Sequence, residues 1–241
     1  MKIRFLIILV LALVSLSGSY MQTALAQSGS EPTGLKNVTL WLNPEYDDPR
    51  LLVMLEGKIV GVNPPARIRF LVPTAAEMYS AGSKDATGKY TGGPPDRKAS
   101  EIPGWDEISY ELKTDTFRVE YYDSIIVGQP DKEISYYFEF LYPISDLSVV
   151  IQEPRKSTDF KVTPEGTTGK DQEAFTMHRY SYSNLVPASP LHFDIAYTKS
   201  DPHPSLSIDA IDSGASPTDS TGSSSPVNVP LMVGIIAGVC A

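Results

Sequence analysis

Between Thr116 and Gln152 the chain alternates between large apolar side chains and other residues, one for one. Ile134, Tyr136, Phe138, Phe140 and Tyr142 fall on one side of that stretch, and Ser135, Tyr137, Glu139 and Leu141 on the other. Phe117, Val119 and Tyr121 repeat the pattern upstream, and Leu147, Val149 and Ile151 repeat it downstream. A side-chain period of two residues belongs to a strand with one buried face. The three runs therefore predict the centre of an antiparallel β domain.

The same alternation recurs along the chain. Val38, Leu40 and Leu42 form a first run, Leu51, Val53 and Leu55 a second, and Ile68, Phe70 and Val72 a third. Ile108, Tyr110 and Leu112 follow, and Leu191, Phe193, Ile195 and Tyr197 close the series. Pro, Gly and Asp separate these runs, as turns require. Nine or ten short strands with no amphipathic helix of ordinary length give an all-β antiparallel sandwich. One long loop is predicted from Tyr79 to Trp105, where Gly, Ser, Lys, Asp, Thr and Pro offer few apolar anchors. A short helical turn is expected just before it, because Thr74-Ala-Ala-Glu77 has capping-box spacing.

The two ends differ from this middle. Lys2 and Arg4, the apolar run Phe5–Leu16 and Ala24-Leu-Ala26 have the form of a secretory signal helix. Cleavage is expected between Ala26 and Gln27, in preference to an uncleaved anchor, because the apolar run is short for a membrane span. Residues 27–199 then make the sandwich domain. Residues 200–228 are dominated by Ser, Pro, Asp, Gly and Thr and form a disordered stalk. Residues 229–241 are apolar and uncharged. They read either as the opening of a transmembrane helix or as an apolar peptide that docks or frays. The abrupt change from polar stalk to Gly-spaced apolar run favours the first. The chain is thus expected to be exported and extracytoplasmic, held by the lipid bilayer through its C-terminal segment.

One set of segments carries a family resemblance. Glu56-Gly-Lys-Ile-Val-Gly61, Ala66-Arg-Ile-Arg-Phe-Leu-Val72, Asp85-Ala-Thr-Gly-Lys-Tyr90 and Phe117-Arg-Val-Glu-Tyr-Tyr122 occur in that order. Their succession resembles transthyretin-like sandwich modules, including the carboxypeptidase regulatory-like domains of bacterial exported proteins. The resemblance covers about residues 50–125. It departs at the Pro-rich insertion Thr91–Pro103 and in the many strands after Tyr122. It implies a seven-stranded non-catalytic sandwich, immunoglobulin-like or transthyretin-like in form. It transfers no active-site residue.

Composition narrows the function classes. A formal charge of −9 argues against nucleic acid as partner. The single Cys240 allows no intrachain disulfide and no Cys/His zinc spacing, and no cofactor is expected. Gly166-Thr-Thr-Gly-Lys170 lacks P-loop spacing and reads as a hairpin loop. Glu45, Asp47 and Asp48 lack the order of a calcium loop and read as a solvated turn. His192 and Asp194 share one strand face, which reads as a wet-face pair. No G-x-S-x-G elbow supports a hydrolase.

The remaining signal is aromatic. Trp41, Tyr122, Tyr137, Tyr180 and Tyr182 fall opposite the expected core residues of their strands. Exposed rings can stack on sugars or anchor a protein. An added layer that covers this side as well is the alternative. The candidate ligand-binding residues are therefore Trp41, Tyr137, Tyr180 and Tyr182, with no catalytic or metal-binding residue assigned. The expected function is a cell-surface binding or adhesion module for carbohydrate or an envelope protein. Its alternatives are an accessory subunit of an envelope complex and a secreted polysaccharide or peptide hydrolase.

Overall fold

The computed structural model describes residues 30–206. The expectations for residues 1–29 and 207–241 lie outside the described residues. In chain order the strands are β1 (Gly34–Pro44), β2 (Leu51–Val60), β3 (Ala66–Pro73), β4 (Glu77–Lys84), β5 (Tyr90–Gly93), β6 (Asp96–Ala99) and β7 (Trp105–Leu112). There follow β8 (Thr116–Asp123), β9 (Asp131–Phe138), β10 (Ile144–Gln152), β11 (Thr158–Thr163), β12 (Thr167–Lys170), β13 (Thr176–Leu185) and β14 (Leu191–Thr198). The described residues contain no helix.

The protein is an all-β sandwich. One layer is an eight-stranded sheet in the order β12-β13-β10-β1-β2-β8-β4-β5. Against it lie two three-stranded sheets, β11-β14-β9 and β3-β7-β6. A single core draws on all three sheets. Phe70 of β3 meets Phe117 of β8 at 4.9 Å between ring centroids, and Tyr180 of β13 meets Phe193 of β14 at 5.2 Å. The hydroxyls of Tyr121 on β8 and Tyr136 on β9 lie 3.0 Å apart inside that core, so two otherwise unpaired buried groups satisfy each other.

The three central runs become β8, β9 and β10, but they are not neighbours. β1 and β2 separate β8 from β10, and β9 belongs to the opposite layer. The cause is a parallel pairing of β1 with β10, from Leu35↔Ile144 to Leu42↔Ile151. Local alternation specifies a strand and its faces, not its partner. β9 ends at Phe138, yet Phe140 and Tyr142 beyond it stay buried. The Tyr142 hydroxyl accepts from the Arg69 amide of β3 at 3.1 Å and so ties the β9–β10 connection to that strand.

The predicted long loop is instead three strands. β4 lies inside the large sheet against β8, β5 pairs with β4, and β6 pairs with β7. β4 buries Ser80, Ala81, Gly82 and Ser83, side chains too small to give an apolar rhythm. Asp85-Ala-Thr-Gly-Lys-Tyr90 is the β4–β5 hairpin turn. The Asp85 carboxylate accepts from the amides of Thr87 and Lys89, each at 2.9 Å, and Gly88 takes a φ of +83°. The capping-box segment is a turn rather than a helix. The guanidinium of Arg97 donates to the carbonyls of Pro73, Thr74 and Ala76 and holds it closed.

Candidate functional site

The four candidate rings do not form one surface. Tyr180 is only 9% exposed, faces β14, and donates its hydroxyl to the Pro164 carbonyl at 2.8 Å. Tyr182, two residues on, packs half-buried on the same core. The solvent side expected for both is the inner side of β13, because the second layer covers it. Met177, on the outer side of that strand, is also buried, in a small cluster with Val150 and Phe175. Trp41 packs half-buried against that cluster, on the outer face of the large sheet.

Tyr137 remains as a surface ring, 49% exposed on the outer face of β9. The pairing of β9 with β14 places it directly opposite His192. The two rings stack with centroids 4.2 Å apart and planes 11° from parallel. His192 is fixed in turn by Ser135, whose hydroxyl lies 2.8 Å from Nε2, and by Asp194, whose Oδ1 is 3.1 Å from Nε2. Serine and aspartate thus meet the same ring nitrogen. A proton relay needs them on opposite nitrogens, so the trio acts as a mount for the ring pair. A ring held in this way loses little freedom when a ligand lands on it.

Around Tyr122, which the alternation marked, the structure adds aromatic and ionic groups that it did not. Tyr79 is 55% exposed and meets Tyr122 edge-on at 6.2 Å. Arg50 lies 4.7 Å over the Tyr122 ring and bonds Asp48 and Glu77. Tyr122 donates to Asp47 at 2.9 Å; burial and then that carboxylate push its phenol well above the usual range. The signal for this patch was D-D-P-R, in which Asp48 and Arg50 stand two residues apart.

The three acids of the β1–β2 turn therefore diverge. Asp47 and Asp48 serve Tyr122 and Arg50, while Glu45 is not solvated but 1% exposed. Its Oε1 accepts from Lys132 at 2.6 Å and from the Tyr197 hydroxyl at 2.7 Å, and its Oε2 accepts from Lys199 at 2.6 Å. No group of three or more metal-ligating residues occurs among the described residues.

No family model matches the chain, and no curated protein matches it. Among solved structures, a Parabacteroides distasonis protein provisionally named a protease aligns with 70% of this chain at 12% identity and a TM-score of 0.33. This chain spans 40% of that protein's length. The Mu homology domain of Fcho1 from Danio rerio, solved with a bound peptide, aligns with 73% of this chain over 82% of its own length, at 12% identity and a TM-score of 0.24. Likenesses at these scores carry nothing about what this chain does.

Proposed function

We propose that this chain is an exported, membrane-tethered binding module that presents the outer face of β9 and β14 to a cell-surface carbohydrate. Export is supported by the charged start, apolar run and A-x-A site of residues 1–26, and tethering by the uncharged run 229–241. The observation that carries the binding reading is the stacked Tyr137–His192 pair, half-open to solvent and braced from below. A flat ring bearing a hydroxyl offers an apolar face to the C–H side of a sugar and a polar edge to its hydroxyls. Ser135 and Asp194 beside it add a donor and an acceptor.

The test is retention of the protein on insoluble cell-wall polysaccharide. The wild type should be retained, and Tyr137→Ala should weaken retention about tenfold, the equivalent of ~1.4 kcal/mol. His192→Ala should weaken it less, since that ring braces rather than touches. Equal retention of wild type and Tyr137→Ala would overturn the assignment of this face.

A further inference from the structure

The outer face of the other small sheet carries a different chemistry. Arg67 and Arg69 alternate with the buried Ile68 and Phe70 on β3, so both guanidinium groups project from the same side. Glu107 and Ser109 leave β7 on that side, and Asp96 and Lys98 leave β6. With Glu31 and Arg97 they enclose a cleft of about 340 Å³. The residues that line it are all of charged or hydroxyl type.

The bonds within this cleft are of two kinds. Arg69 Nη1 meets Glu107 at 2.9 Å, and Arg67 Nη2 meets the Ser109 hydroxyl at 2.6 Å. Both partners are buried on the central strand of the sheet, at 9% and 8% exposure, so they are fixed. The other partner of each arginine is exposed at the margin of the sheet. Arg69 Nη2 meets Glu31 at 2.8 Å, and Glu31 precedes the first strand. Arg67 Nη2 meets Asp96 at 2.7 Å, and Asp96 stands on a four-residue edge strand with every residue exposed. Arg69 Nε is buried and has no acceptor among the described residues. Each arginine thus holds one buried partner and one exposed carboxylate whose place a ligand can take. Two such sites two residues apart on a strand stand about 7 Å from each other.

We infer that this cleft binds an acidic oligosaccharide, whose carboxylates take the places of Glu31 and Asp96 on Arg69 and Arg67. Planar guanidinium groups suit carboxylates in paired geometry. The hydroxyls of the same sugar units meet Ser109, Lys98 and Glu107. An acidic peptide is the poorer occupant, because the cleft has no apolar wall or ring to receive its side chains. The cleft shares no residue with the Tyr137 face. Its own carboxylates compete with the ligand, which makes Glu31 a built-in inhibitor rather than a support.

That inverted role supplies the test. The full chain is titrated with a linear oligogalacturonate by calorimetry at low salt, with thermal melts run in parallel. Wild type should bind, Arg69→Ala and Arg67→Gln should each bind at least tenfold more weakly, and Glu31→Gln should bind several-fold more tightly. Arg67 is 44% exposed at its side chain, so Arg67→Gln should keep the fold and the wild-type melt, and its loss of binding stands even if Arg69→Ala melts early. Tyr137→Ala should leave the titration unchanged, which separates this site from the proposed function. No binding by either wild type or Glu31→Gln would overturn the inference. So would weakened binding in Glu31→Gln, equal binding of a neutral galactose oligomer, or equal binding of an oligoglutamate of the same length.

Discussion

Two buried carboxylates set opposite demands on the fold. Glu45 sits at a φ of +47° just after β1, enclosed by Lys132, Lys199 and Tyr197. Burial alone would push its pKa up, but the bonds from Lys132, Lys199 and Tyr197 together outweigh it and hold the carboxyl below its ordinary 4.5. Glu45→Gln removes the charge and leaves two lysines facing an amide, at a cost of about 3–5 kcal/mol in urea unfolding at neutral pH. A carboxyl depressed in the folded state stabilises it fully above 4.5 and loses that contribution as pH falls through the folded value. The wild type should therefore lose stability below about that pH more steeply than Glu45→Gln does. Asp123 has the reverse sign. It is 1% exposed, its Oδ1 has no partner among the described residues, and burial raises its pKa above 3.8. Its folded form holds the proton more tightly, so stability falls as pH rises from 3.8 through the folded value. Asp123→Asn should stabilise the protein by about 1–3 kcal/mol at neutral pH and by little in acid, as read from paired denaturation curves.

At the scale of elements, β4 is the strand whose sequence conceals it. It runs through the large sheet with small residues, and its Gly82 lies against Thr91 and Gly92 of β5. A Cβ at Gly82 would come within 2.2 Å of the Thr91 carbonyl, which is backbone and cannot turn aside. Gly82→Val should detach β5 and cost about 1–3 kcal/mol. The amides of β5 should then exchange with solvent at loop-like rates while those of β8 stay protected. Strands such as β1, β2, β9 and β14 were legible because a large apolar residue recurs at every second position. β5, β6 and β12 were not, because four mostly exposed residues on a sheet edge leave no apolar trace. The site was legible only in part, for the same reason. Alternation set Tyr137 opposite Tyr136 and Phe138, and set His192 beside Asp194. The stack between Tyr137 and His192 depends on the register of β9 with β14, a long-range pairing that no local pattern carries. The rings of β13 were left open between solvent and a covering layer, because alternation separates two sides without saying which one a second layer will cover.

Across the whole molecule, the folded body runs past the last strand. The Ser205 amide donates to the Glu45 carbonyl at 2.7 Å, and the Leu206 amide to the Tyr46 carbonyl at 2.8 Å. Lys199 donates to the carbonyls of Asp201 at 2.8 Å and His203 at 2.7 Å as well as to Glu45. Residues 200–206 are thus a strap across the β1–β2 turn, not the beginning of a free spacer. A chain ending after Lys199 should melt several degrees below one ending after Leu206, because a buried ammonium is left short of acceptors. The parallel pair β1–β10 has a consequence in time. A ribosome finishes β1 at Pro44 but does not supply its second neighbour until Ile144–Gln152, and Glu45 meets Lys199 only after that. Through most of synthesis the first strand can hold β2 and nothing on its other edge. Contacts this distant in sequence slow folding, since the loop must close before any of them forms. The nascent chain accordingly keeps that edge open until β10 emerges. Whatever guards that edge must stay engaged until Ile144–Gln152 is free to pair with it.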